Sequence, residues 1–589
     1  MKTDGQPKDL TRAGPLFYPL MCRFNVAFGT TFLFVASFSP TLAERTSFTA
    51  KAKSASSTVH EPLQKRKYRF ATSTVTDTRL LFVSRSNWES IVGLEIHAQI
   101  SSVSKLFSGA GTQFSSPVNE SVSFFDAAIP GTLPVLNRRC VEAGIITALA
   151  LSCKINSVSM FDRKHYFYAD LPAGYQITQQ RAPLAQGGQL QFQVFTPGIH
   201  KEPYSKTSHI HQLQLEQDSG RSLHDDVAHR TLIDLNRAGI PLMEIVFEPD
   251  LQDGEEAAAL VRELSMILER LGTCSCKMDE GALRVDANIS VHKKGSPLGV
   301  RTEVKNIGSV RAVAHAIQFE IDRQVGVLES GGSVVNETRL WDAQCRQTQP
   351  MRDKEEKQDY RFMPEPNLPP LRVVTDGETS ADLSLVNVNK LKTRLPELPA
   401  ETRRKLGEQF RLPAKSVIIL VNENLLLQHF MNVMKENESR NPNIAANLLI
   451  MDFLTSLNKN KINLDNCNVT SSSFGELVDL LQNGTVNLMA VRKILDELLN
   501  GNPHSPSKRI HCFQITEMNG WAQITNPLEI KKICEDVIVK NPDLVAKYLQ
   551  GKTKIFKALI GEVAKITKQR ANMALVTKEL EIQLKKQQS

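Results

Sequence analysis

Residues 92–100 read VGLEIHAQI and residues 281–291 read GALRVDANISV. In the first, Leu94, Ile96, Ala98 and Ile100 alternate with Glu95, His97 and Gln99. In the second, Leu283, Val285, Ala287, Ile289 and Val291 alternate with Arg284, Asp286, Asn288 and Ser290. A period of two places all the polar residues of such a segment on one face, same-face neighbours about 7 Å apart. The reading is a half-buried antiparallel strand with one wet face. The pattern recurs in HQLQLEQD (211–218), where Gln212, Gln214 and Glu216 oppose Leu213 and Leu215. In LMEIVFEPD (242–250), Glu244 and Glu248 oppose Ile245 and Phe247. In RTEVKNIGS (301–309), Arg301, Glu303 and Lys305 share a face.

Working outward, short alternating segments dominate up to residue 376, and helical spacing takes over from residue 378. Leu426, Phe430 and Val433 illustrate it within the run 414–436. No internal repeat interrupts this order. The fold class expected is α+β: an antiparallel-sheet cradle over 89–377, an all-helical domain over 378–508 and a small helical tail over 509–589. At roughly 100–200 residues per domain, a chain of this length is expected to hold about three.

The first 88 residues stand apart. They carry thirteen Lys/Arg and five acids, which equals the net charge of +8 of the whole chain. Basic, Ser/Thr-rich and acid-poor composition describes an organellar transit peptide. The apolar run FNVAFGTTFLFVASF (24–38) competes with this reading, since it resembles the core of a secretory signal. No later stretch reaches the ~18 apolar residues of a membrane helix. The nine cysteines are scattered and contain no CxxC pair, which argues against a disulfide framework and against a thiolate zinc site.

Any one of these polar strand faces is by itself an ordinary solvent face. As a set they offer Glu, Asp, His, Asn and Arg, the residue types that suit a divalent cation and a phosphate. Such a face could hold Mg-ATP without a phosphate loop. Gly551-Lys552-Thr553 ends like a phosphate loop, but Ala546 stands where its first glycine belongs. There is no GxSxG and no cysteine-nucleophile signature, so metal-assisted phosphoryl transfer fits better than a covalent acyl-enzyme. FDRKHYFYADLPAGYQITQ (161–179) interleaves Arg163, Lys164 and His165 with aromatics, which suits either nucleobase stacking or a core strand-turn. MRDKEEKQDYRFMPEPNLPP (351–370) reads as a loop to a domain edge.

At these residues the chain resembles the B subunits of the tRNA-dependent amidotransferases, in their mitochondrial branch. The resemblance is carried by the strands above, and by PGTLPVLN (130–137), the 161–179 segment and LEQDSGRSLHDD (215–226). It continues through TLIDLNRAGIPLMEIVFEPD (231–250), MDEGALRVDANISV (278–291), NETR (336–339) and the 351–370 loop, in family order. It implies a heterotrimer with an amidase A subunit that frees ammonia from glutamine and a small C subunit, located in the mitochondrial matrix. This subunit would use ATP and Mg²⁺ to phosphorylate the glutamate side chain of Glu-tRNA(Gln), and ammonia would then displace the phosphate.

Carried over residue by residue, the resemblance implies metal ligation by Glu95, His97, Glu216 and Glu280. Asp218, Arg284 and Asp286 would complete the catalytic cradle, and Arg163, Lys164, Glu303 and Lys305 would meet the nucleotide. Departures from the family pattern are Gln217, in place of a second glutamate, Ala169 and Ala173 in the 161–179 segment, and Met573 in the tail. Four cysteines that hold zinc in some relatives correspond here to Ser108, Ala110, Ser123 and Asp126, so no zinc is expected.

Residues 541–589 carry ten Lys/Arg and four acids. Lys552, Lys554, Lys557, Lys565, Lys568 and Arg570 are a solvated helix face on composition alone, and a tRNA contact on the resemblance. Two alternatives stay open: amidation of Asp-tRNA(Asn), and a non-catalytic tRNA-binding scaffold.

Overall fold

The computed structural model describes residues 87–225, 227–351, 360–375, 385–500 and 511–587. The expected leader lies outside the described residues except for Asn87 and Trp88, as do positions 352–359 of the proline-rich loop.

The alternating segments assemble into a nine-stranded sheet. From one edge its order is Gln347–Pro350, Thr338–Asp342, Thr302–Lys305, Leu283–Lys293, Trp88–Gln99, Pro241–Phe247, Tyr204–Gln217, Ala185–Val194 and Lys154–Ile155. All neighbours are antiparallel except Thr302–Lys305 with Thr338–Asp342, which are parallel. The sheet is thus antiparallel, as expected, apart from this one pair. The reason is the helix Val310–Glu329 between those two strands, since a parallel pair needs a crossover of a dozen or more residues.

The apolar faces pack on three helices, Arg138–Ala150, Gly254–Leu271 and Val310–Glu329. Each begins at a residue whose side chain accepts from a backbone N–H of the first turn: Asn137, Asp253 and Ser309. Asp253 and Glu256 form a reciprocal cap, because Glu256 in turn accepts from the backbone N–H of Gln252 at 2.8 Å. Gly254 lets two of these helices touch, since a Cβ there would meet the Ala314 carbonyl oxygen at 2.2 Å. Leu94, Ile96, Ala98, Leu213, Leu215, Met243, Ile245, Leu283, Val285 and Ala287 are almost fully buried in this core.

A smaller sheet joins Val158–His165 to Tyr175–Ala182, Met363–Pro364, Leu371–Val374 and Val386–Asn387. The first core also includes Val386, Val388 and Leu391, so its packing runs past residue 377. A second core, all helical, runs from Leu406 to Ile515 and so passes residue 508. A third holds the tail together, from Ile530 to Leu584. Arg403 pairs with Glu263 at 2.6 Å and so links the first helices of the second region to the back of the sheet.

The run 414–436 is two helices, Ala414–Asn422 and Asn424–Glu436, bent by 116°. The bend lets Val417, Leu420, Val421, Leu426, Phe430 and Val433 all reach the second core. Among the described residues no single helix is long and apolar enough to cross a membrane.

Candidate active site

The strand Trp88–Gln99 lies near the middle of the large sheet, and its polar face is the floor of a cleft. His97 is opposite Arg284 on one side and opposite Glu244 on the other, and Glu244 is in turn opposite Gln214. Glu216, two residues beyond Gln214, projects from the same face. The cleft has a volume of about 930 Å³. Its walls carry Lys164, Arg221, Arg237, Arg284 and Lys305 as cations, and Glu216, Asp218, Asp234, Asp279, Glu280 and Asp286 as anions.

His97 and Glu216, which line the cleft, converge with Glu244 of the neighbouring strand. Donor atoms of His97, Glu216 and Glu244 all lie within 4.8 Å of one another. His97 Nδ1 is 3.1 Å from Glu216 Oε1, and His97 Nε2 is 3.9 Å from Asp286 Oδ2. Burial by itself would depress the imidazole. The Glu216 hydrogen bond and the charges of Glu244, Glu216 and Asp286 outweigh it and lift His97 to about 9. Burial also works against the Glu216 charge, but His97 and then Lys164 hold that carboxyl below the usual range. Glu244 is pushed upward, first by burial and then by the neighbouring Glu216. The cluster thus sets the Glu216 carboxylate against the His97 imidazolium and holds Glu244 nearer its neutral form.

The remaining site residues read from the sequence surround this cluster. Glu95 accepts from Asn288 Nδ2 at 3.0 Å and lies outside the three-residue cluster. Asp218 receives Arg284 at 2.9 Å, with Arg237 at 3.7 Å. Asp286 receives Lys305 at 2.6 Å, and Glu303 receives the same ammonium at 2.9 Å. Glu280 sits on a turn at the rim and pairs with Lys277 at 2.9 Å, apart from the cluster. Lys164 lines the cleft, with its ammonium 4.7 Å from the centre of the Tyr360 ring. Arg163 is held by both oxygens of Glu365, at 2.6 and 3.0 Å, and lies over Tyr175.

In the tail, Lys552, Lys554, Lys557 and Lys568 are exposed and, among the described residues, make no ion pair. Lys565 is paired with Glu562 at 2.6 Å, and Arg570 donates to the Gly520 carbonyl at 2.8 Å.

Glu244 is the residue that sequence reasoning did not assign. Alternation puts it on a polar face, but only the register with His97 brings it into the cluster. Gln217, whose identity departs from the family pattern, lies on the opposite strand face from Glu216 and lines a separate cavity of about 290 Å³. Ser108, Ser123 and Asp126 meet in space. Asp126 accepts from the Ser108 hydroxyl, from the Ser123 backbone N–H and from the fully buried Lys105 ammonium, the last at 3.2 Å.

The donor chemistry of the cluster, two carboxylates and one imidazole, suits a small hard divalent cation that keeps water or phosphate oxygens as its other ligands. The cations around it suit phosphate oxygens.

The chain matches known proteins over most of its length. The family model described as GatB/GatE catalytic domain matches residues 90–377, and that described as GatB domain matches 428–584. The B subunit of the mitochondrial glutamyl-tRNA(Gln) amidotransferase of Aedes aegypti is 59% identical over 83% of this chain and 92% of its own length. The human protein of the same name is 48% identical over 84% of this chain and 88% of its own. The B subunit of an aspartyl/glutamyl-tRNA(Asn/Gln) amidotransferase from Rickettsia rickettsii (strain Iowa) is 43% identical over 84% and 98%.

Proposed function

Because the chain belongs to the GatB family of tRNA-dependent amidotransferase B subunits, we propose that it is the subunit that activates Glu-tRNA(Gln) and amidates it to Gln-tRNA(Gln). Ammonia would come from a partner amidase A subunit, with a small C subunit completing the heterotrimer, in the mitochondrial matrix. The observation that carries the reading is the His97–Glu216–Glu244 cluster, of which His97 and Glu216 line a cleft walled by Lys164, Arg284 and Lys305.

The chemistry follows from the substrate. A carboxylate is a poor acyl donor, so the glutamyl oxygen first attacks the γ-phosphorus of ATP and ADP departs. Ammonia then attacks the acyl carbon, and phosphate leaves with the electron pair of the C–O bond. Mg²⁺, when bound, would polarise the transferring phosphoryl group and offset its charge. Glu216, Glu244 and His97 would hold it, with Glu95 and Glu280 at greater distance. Lys164, Arg284 and Lys305 would face the phosphates. Asp218, Asp286 and Glu303 fix the directions of those cations, and Arg163, through Glu365, anchors the strand that bears Lys164. The tail lysines Lys552, Lys554, Lys557, Lys565 and Lys568, with Arg570, would meet tRNA phosphates.

The test is single-turnover conversion of Glu-tRNA(Gln) by the reconstituted complex with ATP, Mg²⁺ and free ammonium, which bypasses the amidase subunit. Wild type should form Gln-tRNA(Gln), whereas Glu216→Gln and Glu95→Ala should bind tRNA yet fail to convert it. Equal conversion by all three would move the activating site elsewhere. The rickettsial relative's name covers two substrates, so Asp-tRNA(Asn) belongs in the same assay.

A further inference from the structure

Behind the carboxylates of the cluster runs a chain of neutral donors. Gln212 Nε2 donates to Gln214 Oε1 at 2.5 Å. Gln214 Nε2 donates to Thr178 Oγ1 at 3.1 Å and also to Glu244 Oε2. Thr178 Oγ1 in turn donates to Glu216 Oε2 at 3.4 Å. Gln214 is 4% exposed and Thr178 1% exposed, so water does not compete for these groups.

The direction of every bond is determined by its neighbours. Gln214 Oε1 takes its hydrogen from Gln212, which leaves both hydrogens of its NH₂ group for Thr178 and Glu244. The flipped amide would aim its oxygen at the Glu244 carboxylate and set two NH₂ groups against each other. Thr178 accepts from Gln214, so its single hydroxyl hydrogen goes to Glu216. One amide therefore serves both carboxylates, directly at Glu244 and through one hydroxyl at Glu216, and in each case it is Oε2 that is held.

Resting on the metal-centre reading above, we propose that Gln214 and Thr178 are positioning residues for the cation. They hold Glu216 and Glu244 side by side through neutral donors that add no positive charge to the cluster. A lysine or arginine in their place would hold the carboxylates equally well but would cancel the charge that a divalent cation needs. Outer hydrogen bonds of this kind orient metal ligands, and their loss typically costs 10–100-fold in metal affinity.

The experiment uses the reconstituted complex with full-length chain and Mn²⁺ alone as the probe. Free Mn²⁺ is read by electron paramagnetic resonance, and thermal unfolding is measured alongside. Thr178→Val removes the hydroxyl without changing the shape, Thr178→Ser keeps it, Gln214→Met removes the amide, and Glu216→Gln is the control for the centre itself. Wild type should bind a Mn²⁺ that Glu216→Gln loses. Thr178→Val and Gln214→Met should weaken that site by about 10–100-fold, with Thr178→Ser close to wild type. The Mg²⁺ concentration for half-maximal conversion should rise in step, while the rate at saturating Mg²⁺ recovers. A mere packing defect would give neither the serine rescue nor that recovery.

If Glu216→Gln abolishes the site but Thr178→Val binds as tightly as Thr178→Ser, the positioning role is wrong and the metal centre stands. If Glu216→Gln also binds Mn²⁺ normally, the metal-centre reading fails, and this inference fails with it. Should Gln214→Met not fold, the two Thr178 variants decide alone.

Discussion

Two buried carboxylate groups flank the same sheet, and their surroundings are opposite. Glu320, on the helix Val310–Glu329, is fully buried and receives the Thr302 and Thr348 hydroxyls, the Gln324 amide and the guanidinium of Arg323, with Arg339 at 3.4 Å. Burial alone would raise its pKa, but these donors, Arg323 foremost, hold it below the usual carboxylate value. Glu216 and Glu244 have one imidazole between them and otherwise neutral donors. The first site closes its charge within the chain and so acts as a joint between helix and sheet. At the second, His97 is the one charged donor to the carboxylates among the described residues, and His97 and Glu216 line the cleft, where a ligand from outside can reach them.

The difference can be broken most forcefully at Glu320. Glu320→Ala takes from Arg323 its nearest carboxylate and leaves Arg323 and Arg339 to share Glu337, and should cost about 3–5 kcal/mol in urea unfolding. A loss far smaller would mean that the closed site is not a joint.

Glu216→Gln should act mainly on conversion. Its unfolding free energy should fall less than that of Glu320→Ala, because loss of the His97 ion pair is partly offset by relief of the repulsion on Glu244, while ammonium-driven conversion falls by roughly 100-fold or more. A matching loss of stability would erase the distinction between the two sites.

The distinction sharpens with pH. Since the folded pKa of Glu320 is lowered from 4.5, its contribution is complete above that value and is lost as the pH falls through the folded pKa. Glu320→Gln should therefore show a shallower acid arm in a plot of unfolding free energy against pH. An unchanged acid arm would assign the loss to other carboxylates.

The smallest effects are expected at the tail, where exposed cations with and without an acidic partner occur among the described residues. Lys554→Ala or Lys557→Ala should reduce the salt dependence of tRNA binding by roughly 0.7–0.9 in log–log slope per lost phosphate contact. Lys565→Ala, already paired with Glu562, should change it less. Equal slopes would detach the tail from tRNA.

Much of this was legible in the residues, and what escaped did so for one reason. Alternation is local, so the wet face bearing Glu95 and His97, and the one bearing Arg284 and Asp286, could be read directly. Strand order is not local. Nothing in LMEIVFEPD says that its strand lies beside VGLEIHAQI, so Glu244 stayed unassigned until the register put it opposite His97. Glu280 was drawn into the metal set by resemblance, yet its turn leaves it at the rim beside Lys277. The parallel pair was missed for a related cause, since a crossover helix has the pattern of any amphipathic helix. Residues 414–436 carry helical spacing throughout, and only the packing of the second core required a bend at Glu423.

The position of Trp88–Gln99 in the sheet also bears on how the protein comes to exist. This strand precedes every other strand of the sheet in the chain, yet its partners are Pro241–Phe247 and Leu283–Lys293, with Leu94 opposite Ala287. At about 5–20 residues per second of synthesis, the second partner follows on the order of 10–40 s later. Contacts this distant in sequence slow folding, and an apolar strand waiting for them invites aggregation. The central pairing of the cradle thus cannot form until residue 293 has been made, and the strands Thr302–Lys305, Thr338–Asp342 and Gln347–Pro350 extend the sheet only after it.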